Sequence, residues 1–184
     1  MNEFNENGLK EGYWEIYWYD DKVLYKTNYL NGKQHGNHEA YNLDGSLFSK
    51  GNYINDEKNG LHELFYPNGN LRSRANYIND KVNGLYEDYY SNGNLWFKIN
   101  YVNGKKHGLY ERYHSNGNLF YKGTYVNGKD DGQWEEYFSN GNLRCKVNYV
   151  NGKKHGISEF YDINGKLLHK KNHVDGKSED LNKN

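Results

Sequence analysis

A chain of 184 residues with 24 basic and 24 acidic side chains carries no formal net charge, which argues against nucleic acid or an anionic membrane as its main partner. Only 35% of its residues are hydrophobic, which alone leans towards disorder, yet 17% are aromatic (20 Tyr, 7 Phe and 4 Trp), and aromatics at fixed spacing belong to an ordered structure. The single cysteine, Cys145, forms no internal disulfide, no apolar stretch is long enough to span a membrane, and the opening MNEFNENGLK lacks the apolar core of a secretory signal, so the chain is expected in the cytoplasm.

In chain order, residues 1–11 read as an N-terminal partial repeat, because Asn7-Gly8-Leu9-Lys10-Glu11 repeats the end of the units that follow. Seven glycines then stand 24 residues apart, Gly12, Gly36, Gly60, Gly84, Gly108, Gly132 and Gly156. They open seven β-hairpin repeats, 12–35, 36–59, 60–83, 84–107, 108–131, 132–155 and 156–179, and a fixed period decides the architecture before any other feature. The last repeat turns polar at Asp162, Lys166, Lys171 and His173, as suits a cap that faces water. Residues 177–184 are expected to fray, with 180–184 a disordered tail.

Counting each repeat from its glycine as position 1, Asn-Gly or Asp-Gly recurs at positions 9–10 (Asp44-Gly45 to Asn164-Gly165) and at positions 20–21 (Asn31-Gly32 to Asp175-Gly176). Two repeats carry Asn55-Asp56 and Asn79-Asp80 at the second place. Asn-Gly between aromatic and β-branched runs marks a two-residue hairpin turn, whose central residues need positive φ. Each repeat therefore holds two strands and two turns. A two-residue loop at positions 9–10 pairs 8 with 11, 6 with 13 and 4 with 15. Position 4 is Glu in every repeat, from Glu15 to Glu159, and position 15 is Lys or Arg, from Lys26 to Lys170. Opposite charges fall directly across the hairpin, an independent check on that register. The expected fold is all-β: an elongated, single-layer antiparallel meander of 24-residue hairpins.

One sheet face holds the charge ladder, the ring at position 6 and the amide at position 17. The other holds positions 3, 5, 7, 12, 14, 16 and 18, with Tyr at position 18 in six repeats. Aromatic side chains that differ between repeats on this second face suit a protein interface: Tyr66, Tyr86, Tyr90, Phe97, Tyr110, His114, Tyr121, Trp134 and Phe138. A thin sheet lacking a second layer also needs such side chains simply as cover. The glutamates share one environment, each with a cation opposite, so they read as structural and not as an acid/base pair. His35, His107 and His155 recur at multiples of 24 before the repeat glycine and have no metal-ligand spacing. Cys145 has no evident base, and no cofactor, metal or catalytic residue is expected.

The segments Tyr101–Tyr113 (YVNGKKHGLYERY) and Tyr149–Tyr161 (YVNGKKHGISEFY) resemble the MORN repeat, and more closely the bacterial variant of YwqK-family antitoxins. The resemblance covers about residues 8–176 and implies a run of β-hairpins in one twisted sheet. It also implies a non-enzymatic binding module, in that subgroup an inhibitor or immunity protein that occludes a toxin or nuclease. Two alternatives are a scaffold that self-associates through edge strands, and carbohydrate or lipid binding through the aromatic face.

Overall fold

The computed structural model describes residues 1–174 and 177–181 and divides into two halves, Met1–Gly93 and Asn94–Asn184. Every regular element among the described residues is a β-strand, because Gly and Asn recur too often for a helix to persist. The N-terminal half holds β1 (Glu3–Phe4), β2 (Lys10–Tyr17), β3 (Val23–Leu30), β4 (Lys33–Tyr41), β5 (Leu47–Ile54), β6 (Glu57–Lys58), β7 (Gly60–Phe65), β8 (Leu71–Ile78) and β9 (Lys81–Tyr89). The C-terminal half holds β10 (Leu95–Val102), β11 (Lys105–Tyr113), β12 (Leu119–Val126), β13 (Lys129–Tyr137), β14 (Leu143–Val150), β15 (Lys153–Lys154), β16 (Gly156–Tyr161), β17 (Leu167–Val174) and β18 (Lys177–Asp180). Within each half, strands pair antiparallel in chain order, giving the expected meander. The short β6 and the longer β7 both lie against β5, as β15 and β16 lie against β14.

The two Asn-Gly turns of a repeat differ. At positions 20–21 both residues are left-handed, as in Asn31 (φ 51) and Gly32 (φ 81), and the strands rejoin two residues apart, Leu30 opposite Lys33. This is the expected two-residue turn. Asp56 (φ 71) and Asp80 (φ 62) adopt the same conformation without being glycine. Each offsets its strain by accepting a backbone hydrogen bond from the preceding repeat: Gln34 N–H to Asp56 Oδ1 at 2.7 Å, and Lys58 N–H to Asp80 Oδ1 at 2.8 Å. The Asp175-Gly176 turn lies outside the described residues.

The turn at positions 9–10 corrects the sequence reading. Only its glycine has positive φ, 84 at Gly45, and Gly45 N–H donates to Asn42 O at 2.9 Å while Asn42 N–H donates to Ser46 O at 2.9 Å. The loop is thus three residues long, an ordinary turn closed by a left-handed glycine. The inner pairs shift with it: position 6 faces 12 and not 13, as in Tyr41 opposite Leu47. A one-residue bulge at position 13 restores the frame, so position 4 still faces 15 and Glu39 lies opposite Lys50. A second irregularity surrounds the repeat glycine. Tyr29 faces Gln34 and Thr27 faces His38, leaving His35, Gly36 (φ 102) and Asn37 across from Asn28 alone. Position 16 of one repeat is thereby set against position 3 of the next.

The same offset places each glutamate from Glu39 onward between two position-15 cations, as Glu39 lies between Lys26 and Lys50. Most ion pairs of the ladder run forward into the next repeat, as in Lys50–Glu63 at 2.8 Å, Lys122–Glu135 at 2.7 Å and Lys146–Glu159 at 2.6 Å, while Lys170–Glu159 at 2.7 Å lies within one hairpin. The position-6 tyrosine donates to the same carboxylate, Tyr41 to Glu39 at 2.6 Å and Tyr161 to Glu159 at 2.8 Å. Glu159, held by Lys146, Lys170 and Tyr161, has its carboxyl drawn down to about 2.

Both turn rows are tied between repeats. The amides of Asn68 and Asn70 donate to Ser91 O at 2.8 and 2.9 Å, and those of Asn140 and Asn142 to Ile163 O at 3.1 and 2.9 Å. On the other side, Gly32 N–H donates to Lys10 O and Gly128 N–H to Lys106 O, each at 2.8 Å. At about 1 kcal/mol net per bond, these clips let a polar chain stack its repeats around a core only one side chain deep. That core is made by Trp14, Thr27, Ser73 and Ala75 in one half, and by Ile99, Trp134, Val147, Ser158 and His173 in the other. β18 pairs with β17, Val174 opposite Lys177 and Lys171 opposite Asp180, so residues 177–180 form a strand where fraying was expected. The ladder, with Lys171 Nζ 3.6 Å from Asp180 Oδ1, holds them. Residues 182–184 of the expected tail lie outside the described residues.

Candidate binding face

Positions 3 and 18 line up along each half as a column of rings in mostly edge-to-face contact, the arrangement that ring quadrupoles favour. In the N-terminal half the column runs Phe4, Trp14, Tyr29 and then His38, Tyr53, His62, Tyr77, with the last four centroids 5.2–5.4 Å apart. In the C-terminal half Tyr110, Tyr125, Trp134 and Tyr149 form the column, at 5.9, 5.0 and 6.2 Å. Phe97 and Tyr121, at position 14, close on it from the side, at 6.1 Å from Tyr110 and 4.9 Å from Trp134.

The nine aromatic residues singled out from the sequence do not form one surface. Trp134 is 1% exposed and belongs to the core, a correction to its reading as a contact residue. Its ring fills the space left by Gly123, where an added Cβ would stand 1.9 Å from the indole. Tyr110 and Tyr121 lie half-buried against it, and Phe97, also half-buried, lies against Tyr110. Tyr86 is half-buried in the N-terminal half, where it faces Ala75 across β8 and β9. The position-7 residues serve the turn row. Tyr66 donates from its hydroxyl to Tyr89 O at 2.8 Å, and His114 from Nε2 to Tyr137 O at 3.3 Å. Tyr90 accepts Gly93 N–H at its carbonyl, 2.9 Å, and Phe138 lies beneath the Arg144 guanidinium, 5.8 Å from the ring centroid.

The face is chemically quiet. Burial raises the Tyr121 phenol far above its ordinary value, and burial with the Asp130 charge lifts Tyr125 to about 12. Burial, then the Glu136 carboxylate, pushes the Cys145 thiol up to about 11, so it stays protonated and is a poor nucleophile. Burial also lowers His38 and His62, which are neutral at pH 7. No group of three or more His, Cys, Asp and Glu among the described residues is placed to hold a metal, and no helix is long and apolar enough to cross a membrane.

Two features escaped the sequence reading. Position 19 is an exposed aliphatic side chain throughout, Leu30, Ile54 and Ile78 in one half and Val102, Val126 and Val150 in the other. Position 2 adds exposed Leu61 and Leu85, and Leu109 and Ile157. Their signal was the invariance of position 19 on the side carrying the charges. The other feature is a cleft in the N-terminal half, where positions 14 and 16 shrink to Ser49, Gly51, Ser73 and Ala75.

Residues 34–55, 58–79, 82–103, 106–127 and 130–151 match the family model described as MORN repeat variant, together more than half of the chain. No curated protein sequence matches the chain. Among solved structures, the crystal structure of TarM matches with a TM-score of 0.34 and 18% identity, over 52% of this chain and 19% of that one. The chain thus spans about a fifth of the TarM chain. Repeats of this family generally serve as modules that bind proteins or membranes. The matched segments begin 24 residues apart and each spans one hairpin of the meander, and the chain belongs to the MORN repeat variant family.

Proposed function

We propose that the chain is a non-enzymatic protein-binding module of the bacterial cytoplasm, an immunity protein or antitoxin that covers the active site of a toxin or nuclease-like enzyme. The observation that carries this reading is the cluster of Phe97, Tyr110 and Tyr121. Tyr110 and Tyr121 are packed on a fixed Trp134, Phe97 is packed on Tyr110, and all three remain partly open to solvent, so a partner would meet aromatic area whose rotamers are already set. The neutral overall charge favours a contact made by shape and apolar area over one made by steering. The glutamate ladder reads as structural, since Glu63, Glu135 and Glu159 each have a Lys beside them in one repeating environment.

Affinity purification of the tagged chain from its native host, with mass spectrometry, tests the reading. One stoichiometric enzyme or toxin is expected, and Tyr110→Ala with Phe97→Ala should weaken its capture at least tenfold, the loss of about 1.4 kcal/mol. Recovery of the chain alone, or capture unaffected by both substitutions, would overturn it.

A further inference from the structure

The cleft of the N-terminal half has a volume of about 100 Å³, room for roughly three waters at their liquid volume, or for a carboxyl group and the carbon that carries it. It arises from one local substitution of sizes. His62 lies over Gly51 as Trp134 lies over Gly123: a Cβ on Gly51 would stand 2.1 Å from His62 Nδ1. An imidazole is smaller than an indole, and position 14 on either side is Ser49 and Ser73, where the repeat of Trp134 is flanked by Tyr121 and Cys145. The space an aromatic ring would fill is therefore left open and lined with polar groups.

Those groups are unevenly spent. His62 Nε2 lies 2.7 Å from the Asn52 carbonyl, which only accepts, so this nitrogen carries the proton. His38 Nδ1 is buried and has no hydrogen-bond partner. Lys58 reaches the cleft with its ammonium 5.1 Å from the Tyr77 ring centroid. The acids nearby are engaged elsewhere: Glu63 with Lys50 at 2.8 Å, and Asp80 with the Lys58 backbone N–H at 2.8 Å. What the cleft offers is two serine hydroxyls and the Lys58 ammonium, between the rings of His38 and His62.

We propose that this cleft is a carboxylate-binding site, in which the Ser49 and Ser73 hydroxyls donate to the oxygens and Lys58 neutralises the charge, beside the His38 and His62 rings that line it. The carboxylate is either a free small acid or an Asp, Glu or C-terminal group of another polypeptide. The site is separate from the aromatic cluster of the C-terminal half and does not depend on that cluster's role.

The test is a titration of the full chain, read by histidine side-chain ¹H–¹⁵N NMR, with sodium acetate, with blocked Gly-Glu-Gly peptide and with sodium chloride at matched ionic strength. Saturable shifts of His38 and His62 are expected with acetate or peptide and not with chloride. Lys58→Gln, at the mouth, should weaken the response about tenfold without altering the fold, as loss of one charge-assisted contact implies. Ser73→Phe, which places here the side chain found at Phe97, should abolish it. Tighter binding of peptide than of acetate identifies a polypeptide source, and equal or weaker binding a free acid. Shifts that are absent, matched by chloride or unchanged in Lys58→Gln would overturn the proposal.

Discussion

The two halves use one backbone recipe and fill it differently. Around Gly123, the C-terminal half inserts an indole and surrounds it with Tyr110, Tyr121, Tyr125 and Tyr149, leaving Trp134 almost wholly enclosed. Around Gly51, the N-terminal half inserts the imidazole of His62 and leaves a polar cleft between Ser49 and Ser73. The difference teaches that in a sheet without a second layer, stability and vacancy are set by two positions per repeat, 3 and 16, which the bulge at the repeat glycine brings face to face. Over Gly123 the large Trp134 sinks into the core, whereas Tyr110, set against Ile99 of the preceding repeat, stays half-buried. What stands at 14 then decides whether the remainder is closed.

The largest effect should come from removing the indole. Trp134→Ala deletes a ring that four tyrosines enclose and should cost about 3–5 kcal/mol in urea unfolding. His62→Ala, beside a cleft already open, should cost visibly less. Equal losses would remove the distinction between a closed and an open repeat. Gly123→Ala sharpens the same contrast, because its Cβ would meet the ring at 1.9 Å and overpacking of this kind costs about 1–3 kcal/mol.

The next effect compares two solutions of the same turn. Asn31-Gly32 takes its left-handed conformation with a glycine, whereas Asn55-Asp56 uses an Asp clipped to the preceding repeat. Asp56→Ala keeps a Cβ in that conformation and loses the clip, so it should cost about 1–2 kcal/mol. Asp56→Gly loses the clip and relieves the strain, and should lie well above Asp56→Ala in thermal unfolding. If Ala and Gly behave alike, the Asp is not compensating strain.

These contrasts also show what the sequence made legible. The period, the two turns per repeat and the pairing of Glu39 with Lys50 could all be read, since Asn-Gly spacing and complementary charge each leave a direct trace. The form of the first turn could not. Asn-Gly serves a two-residue loop at Asn31-Gly32 and a three-residue loop at Asp44-Gly45, and only φ at the first residue tells them apart. The bulge at position 13 hid the consequence by restoring the outer register. Exposure of individual aromatics was likewise hidden. Trp134 and Tyr110 occupy the same position, and which of them sinks depends on Gly123 in the preceding repeat, a pairing that requires the bulge at Gly132. The position-7 side chains were read as contacts because their partners, such as Tyr89 O for Tyr66, are main-chain atoms that leave no pattern in the sequence.

The smallest effect should be a pH dependence that separates the histidine column from the tyrosine–tryptophan column. Burial lowers His38 and His62 below the ordinary value of 6.5, with Lys58 acting in the same direction on both and Glu39 or Asp80 opposing it. Above 6.5 neither the folded nor the unfolded chain protonates them, and they contribute no slope. As pH falls below 6.5 the unfolded chain takes up protons that the folded chain refuses, so stability declines until the lowered folded values are reached. His173, also lowered by burial, adds to the same decline, whereas Glu159 acts only below 4.5, where its stabilisation fades as pH falls towards about 2. Urea midpoints followed from pH 7.5 to 5 should therefore fall for the native chain and fall less for the His38→Gln, His62→Gln variant. The two imidazoles are half-buried with edges near solvent, so the difference should be modest beside the loss of Trp134. Parallel profiles would mean that the histidine column accepts protons in place, and that the open cleft of the N-terminal half relaxes where the closed packing around Trp134 could not.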